Sequence, residues 1–190
     1  MKCNFLLLLI TVFSFTQCEE KATGQDLKNK ITQNYKNQIQ IKGDSVIIHN
    51  INLTILLSKD AVQKLQENKE SVIASLLIYG SVDDEDTLPE EIREEVGPDG
   101  LKLGVFEMEE KNVTDLINFN FEKITISKKL YENISNKDIS VNINVFSGRR
   151  HFKDNILNME AYDSKLYKVI LNGNKVKLSG HLIPEATDPQ

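Results

Sequence analysis

ISVNINV, residues 139–145, decides the fold class of this chain. Ile139, Val141, Ile143 and Val145 point one way, and Ser140, Asn142 and Asn144 point the other. A period of two is the side-chain repeat of a strand, whereas a helix would spread the same residues around its circumference. One apolar and one amide-rich face describe a strand with one side in a core and the other in water. Outward from it, other runs rich in β-branched residues follow the same grammar. They are SVIIHNINLTILLS (45–58), SVIASLLIYGSV (71–82), GLKLGVFEM (100–108), NFEKITIS (120–127), LYKVILN (166–172) and NKVKLSGHLI (174–183). In the first, Ile51, Leu53, Ile55 and Leu57 alternate onto one face. The second carries little polarity and reads as a central strand.

One segment breaks the pattern. KDAVQKLQENKE (59–70) places Ala61, Val62 and Leu65 on one helical face, with Ser58 in position to cap it. Asn172-Gly173 lies between two strand-like runs, and this dipeptide supplies the positive φ angles of a type I′ hairpin. Short strands, one helix and no alternation of strand with helix predict a mainly β fold. The architecture expected is an antiparallel β-sandwich, Ig-like or transthyretin-like, of about seven to eight strands with one or two short helices. It spans residues 45–184, with 185–190 as a tail.

Two segments stand out as candidate sites. DDEDTLPEEIREEVGPDG (83–100) sets nine acids against Arg93 alone. Clustered carboxylates suit Ca²⁺, which makes Asp83, Asp84, Glu85 and Asp86 candidate ligands. A calcium-loop register starting at Asp83 puts Leu88 at the sixth position, where glycine is needed, so a solvated loop or a surface for a basic partner fits the segment better. A short helix at PEEIREEV, begun by Pro89, is expected inside it. The second segment is SGRRHFKDN (147–155), directly after the deciding strand. Arg149, Arg150 and His151 come with Lys153 and with Phe152 as an apolar anchor, the composition of a contact surface for a carboxylate or phosphate group on a protein partner.

Catalytic signatures are sparse. His49, His151 and His181 are scattered, with no metal-ligand spacing, nucleophile elbow or phosphate-binding glycine loop. His49, inside an apolar run, reads as a structural histidine. No cofactor is implied beyond the candidate Ca²⁺. The formal charge of −5 argues against a nucleic-acid binder, which needs a basic face. The absence of tryptophan argues against stacking of sugars. Asn52, Asn112 and Asn133 open Asn-x-Ser/Thr triplets, about the number expected by chance in a chain with eighteen asparagines.

The N-terminus carries an address. Residues 1–17, MKCNFLLLLITVFSFTQ, join Lys2 to an apolar run from Phe5 to Phe15, the pattern of a signal peptide and too short for a bilayer span. Cys18 follows two residues after the run. A cysteine just after such a run resembles the signal of bacterial lipoproteins, although Phe15 and Gln17 stand where that family favours leucine and a small residue. The resemblance covers about twenty residues and implies that Cys18 becomes the mature N-terminus and carries acyl chains. Residues 18–44 then form a flexible tether. The remaining cysteine, Cys3, lies in the leader, so the body offers no disulfide. The alternative is ordinary secretion with cleavage after Thr16 or Cys18. The expected function is a non-catalytic, lipid-anchored binding protein of the cell envelope. It would act as an adaptor, inhibitor or immunity protein, with a protein partner and no nucleic acid. A soluble secreted domain for carbohydrate or Ca²⁺ and an envelope hydrolase are the alternatives.

Overall fold

The computed structural model describes residues 38–187. The signal peptide, Cys18 and most of the expected tether lie outside the described residues. Strand β1 (Ile39–Lys42) falls inside the span expected to be tether, so regular structure begins before Ser45.

The first half of the fold is one bent ribbon. Strands β2 (Ser45–Ile48) and β3 (Ile51–Leu57) pair antiparallel with β8 (Ile124–Ser127) and β7 (Leu116–Phe121), respectively. The register continues across the break, with Ile48 opposite Ile124 and Ile51 opposite Phe121. At His49–Asn50 and Glu122–Lys123 both strands are interrupted together and the buried phase slips by one residue. Val46 and Ile48 are buried before the break, and Ile51, Leu53, Ile55 and Leu57 after it. A one-residue slip reverses which side chains face inward, so the ribbon bends and its halves enter different sheets. With β1 on the outside, β2 and β8 make a three-stranded sheet. The other half, β3 and β7, continues into a four-stranded sheet with β12 (Lys175–Leu182) and β10 (Leu157–Met159). His49 sits exposed at the bend, its Nε2 3.4 Å from Gln40 Nε2, rather than buried in a strand as the sequence suggested.

The facing layer is a five-stranded sheet in the order β11 (Tyr162–Lys165), β9 (Ile139–Ser147), β4 (Val72–Gly80), β6 (Gly100–Glu110) and β5 (Val96–Gly97). The central position of β4 matches its low polarity. Val72, Ala74, Leu76, Ile78 and Gly80 are buried, as are Ile139, Val141, Ile143 and Val145 of the deciding strand. These join the inward residues of the opposite layer in one core, which makes the protein a mainly β sandwich. Helix α1 (Lys59–Glu67) carries the chain from β3 to β4, burying Ala61 and Leu65. Ser58 takes the N-cap position without capping a backbone amide through its side chain.

Three details differ from expectation. The described residues hold twelve strands rather than seven or eight: two runs read as single strands divide at the ribbon bend, into β2 and β3 and into β7 and β8, and β1, β5, β10 and β11 lie in segments not read as strands. The β3–β12 pair is parallel, so the four-stranded sheet is mixed. LYKVILN is helix α4 (Leu166–Leu171; α2 and α3 are Glu90–Arg93 and Lys128–Glu132). Leu166, Val169 and Ile170 are its buried residues, an i, i+3, i+4 stripe that outweighs the β-branched composition. Asn172-Gly173 therefore closes a helix instead of a hairpin. Gly173 has φ 68°, and its amide donates to Ile170 O at 3.0 Å. The dipeptide supplies the positive φ inferred from it, at a helix C-terminus.

A candidate functional site at the basic end of the sandwich

The candidate site is assembled where three connections meet: the loop from α1 into β4, the β6–β7 turn, and the turn after β9. Antiparallel register brings them together. Val72 lies opposite Glu110 on one side and Ser147 on the other, so the start of β4 neighbours the end of β6 and the end of β9.

Glu70 fastens the assembly. It is 1% exposed, and its carboxylate accepts the amides of Ser71 (3.0 Å), Arg150 (3.1 and 2.8 Å) and His151 (2.9 Å). The geometry suits a short concave turn whose successive N–H groups converge on an anion. Arg149 makes that concavity with φ 52°, a region that costs an arginine energy and that the Glu70 clip holds in place. Gly148 donates its amide to Ser71 O at 2.9 Å. A side chain there has no room, since a built Cβ would stand 2.0 Å from Ser71 Oγ.

A second layer of polar contacts orients Arg150. Ser71 Oγ donates to Glu109 Oε1 at 2.6 Å, and Arg150 Nε and Nη2 donate to the same oxygen at 2.9 and 2.6 Å. The Ser71 hydroxyl and then the Arg150 guanidinium hold the Glu109 carboxyl below its ordinary value. Arg150 Nε also reaches Ser71 Oγ at 3.2 Å. Arg149 lies over the Phe146 ring, 5.8 Å from its centroid.

The structure corrects the role given to Phe152. It is 1% exposed and belongs to the core, so it anchors the turn from beneath and presents no surface to a partner. The His151 ring packs edge-on against it at 4.9 Å, and Lys64 Nζ stands 5.4 Å from its centroid. Arg149, Arg150, His151 and Lys153 are exposed, as expected of a contact surface. Sequence reading missed Lys64, Lys69 and Lys111, which arrive from distant segments and extend the same basic region. It also missed Glu70, Ser71 and Glu109. A glutamate directly ahead of the apolar run 71–80 was the one local signal.

The acidic segment lies elsewhere. β4 ends at Gly80, and the segment starts just beyond it, while the basic end lies at Val72. Nine strand residues at about 3.3 Å each put the two candidate sites on opposite ends of the sandwich. The acidic segment is pinned by buried Leu88 and Ile92, with a 3-10 turn at Glu85–Thr87 and α2 after it. Two of the four carboxylates named as Ca²⁺ candidates, those of Asp83 and Asp84, take part in local hydrogen bonds. Asp84 accepts the Asp86 amide at 3.0 Å and Asp83 accepts the Ser135 hydroxyl at 2.7 Å. Among the described residues no group of three or more histidine, cysteine or acidic side chains is placed to hold a metal ion. His49 lies at the ribbon bend, and His181 lies in β12 opposite Asn158 of β10. No helix among the described residues is long and apolar enough to cross a membrane.

Compared with known protein families, with curated proteins and with solved structures, the chain matches none.

Proposed function

We propose that this protein is a non-catalytic binding module of the cell envelope, exported and held at a membrane through a lipidated Cys18, that engages a protein partner with its basic end. The single observation that carries the reading is the gathering of Lys64, Lys69, Lys111, Arg149, Arg150, His151 and Lys153 around one clipped turn in a chain whose formal charge is −5. Apart from half-buried Lys64 these cations are exposed, with Glu109 and Asp154 interleaved among them, and a turn whose conformation is fixed beforehand is suited to charge-complementary recognition. Pre-organisation lowers the entropy lost on binding. The leader and Cys18 support the address, through the resemblance to lipoprotein signals.

The test is comparative capture from solubilised envelope, with wild type against Arg149→Asp. Aspartate tolerates the left-handed backbone of position 149, so the substitution reverses charge while keeping the turn. Loss of a specific captured protein, with an unchanged urea midpoint, is expected. Equal capture by both proteins contradicts the assignment.

A further inference from the structure

Resting on that reading, we infer that the partner presents a run of carboxylate side chains, and that these seat in the cleft between the α1–β4 loop and the β6–β7 turn. The cleft holds about 520 Å³ and is lined by Gln66, Lys69, Glu70, Lys111, Asn112, Val113, Thr114 and Arg150. Gln66 Nε2 donates to Val113 O at 2.8 Å and ties the two walls together, with buried Val113 between them.

The charges of this cleft are unequal in what they have left to offer. The Glu70 carboxylate is spent on three backbone amides. Arg150 is committed to Glu109, 2.6 Å away. Lys69, from one wall, and Lys111, from the other, enter no ion pair among the described residues. The cleft therefore offers two ammonium groups outside any ion pair, Lys111 acting on the Glu109 carboxyl only at longer range, with the Asn112 side chain exposed beside them.

That arrangement favours carboxylates over phosphate. The usual protein device for phosphate is a ring of convergent backbone amides, and here the convergent amides of Arg150 and His151 already hold Glu70. What remains are lysine point charges on two walls, suited to single negative charges carried on separate side chains. An extended acidic peptide supplies these, since its alternate side chains leave one face about 7 Å apart. The cleft is open to solvent, which suits side chains laid across it better than an enclosed small molecule.

Fluorescein-labelled hexaglutamate, titrated with the protein at low salt and followed by anisotropy, reads this directly. Saturable binding is expected. It should weaken about tenfold or more in the Lys69→Asp, Lys111→Glu double variant. Both positions are exposed, and aspartate suits the φ of 52° at position 69, so the urea midpoint should stay in place. Inorganic phosphate at equal concentration should not displace the peptide. No saturable binding up to about 1 mM, or equal binding by the double variant, overturns the inference. So does displacement by phosphate, which would reassign the cleft to phosphate groups. Arg149 is outside the cleft lining, so an Arg149-dependent capture without hexaglutamate binding would refute the ligand class and leave the contact surface standing.

Discussion

Removing the Glu70 carboxylate is the sharpest perturbation of this fold. Its magnitude follows from three amides, those of Ser71, Arg150 and His151, that lose one buried acceptor in Glu70→Ala. Hydrogen bonds to a charged group contribute about 1.5–3 kcal/mol each, which bounds the gross loss at roughly 5–9 kcal/mol. Two effects reduce it. Removing the carboxylate also removes the penalty of keeping an ion out of water, several kcal/mol for a buried group, on the order given for ion burial. Arg150 and His151 lie on an exposed turn, so water can reach part of what is freed. A net loss of about 3 kcal/mol remains for alanine and about 2 kcal/mol for Glu70→Gln, which keeps one acceptor and sets an amide donor against backbone donors. With a urea slope of about 2 kcal/mol per molar, the alanine variant should unfold roughly 1.5 M earlier. Amide exchange supplies a local readout: Arg150 and His151 should lose protection in the variant while the β4 amides stay protected. A midpoint within about 0.3 M of wild type, with these two amides still protected, would refute the reasoning.

Three further outcomes follow from neighbouring geometry. Gly148→Ala should cost about 1–3 kcal/mol, because its Cβ meets a Ser71 hydroxyl already committed to Glu109; an unchanged urea midpoint would contradict the close contact. Tyr79 is pushed up to about 12 by burial and by its contact with Asp163, so its folded value lies above the ordinary 10.0. Stability from this source is complete below pH 10.0 and is lost as pH rises toward about 12; Tyr79→Phe should flatten that limb of a stability–pH profile. Glu109 shows the opposite sign, its folded value lying below 4.5, so its contribution is present above pH 4.5 and fades as pH falls further, and Glu109→Gln should be less acid-sensitive than wild type in the same profile.

The layer structure was legible because most strands carry their own period. Ile139 to Val145 and Ile51 to Leu57 bury the faces their alternation marks. The ribbon bend was legible in principle, since the buried phase changes between Ile48 and Ile51 and again between Phe121 and Ile124. Both flanks are equally apolar, so composition alone does not mark it. LYKVILN misled because β-branched composition and helical spacing disagree there, and the three contacts at 166, 169 and 170 decide the matter in the folded protein. The arginine turn was visible, and its surroundings were not. Glu70 and Arg150 are eighty positions apart, and nothing local in either segment signals the other. Phe152 shows the same limit: an aromatic in a charged loop reads as exposed until the packing beneath it is known. The acidic segment and the basic turn appeared as two separate sites, and the strand between them explains why they stay separate.

The central claim, a binding module fixed to a membrane by its N-terminus, is tested most directly by the intact mass of the protein extracted from native membranes. A mass equal to the chain from Cys18 onward plus acyl chains is the predicted result. An unmodified mass beginning at Gln17 or Glu19 would contradict it and make this a freely secreted protein.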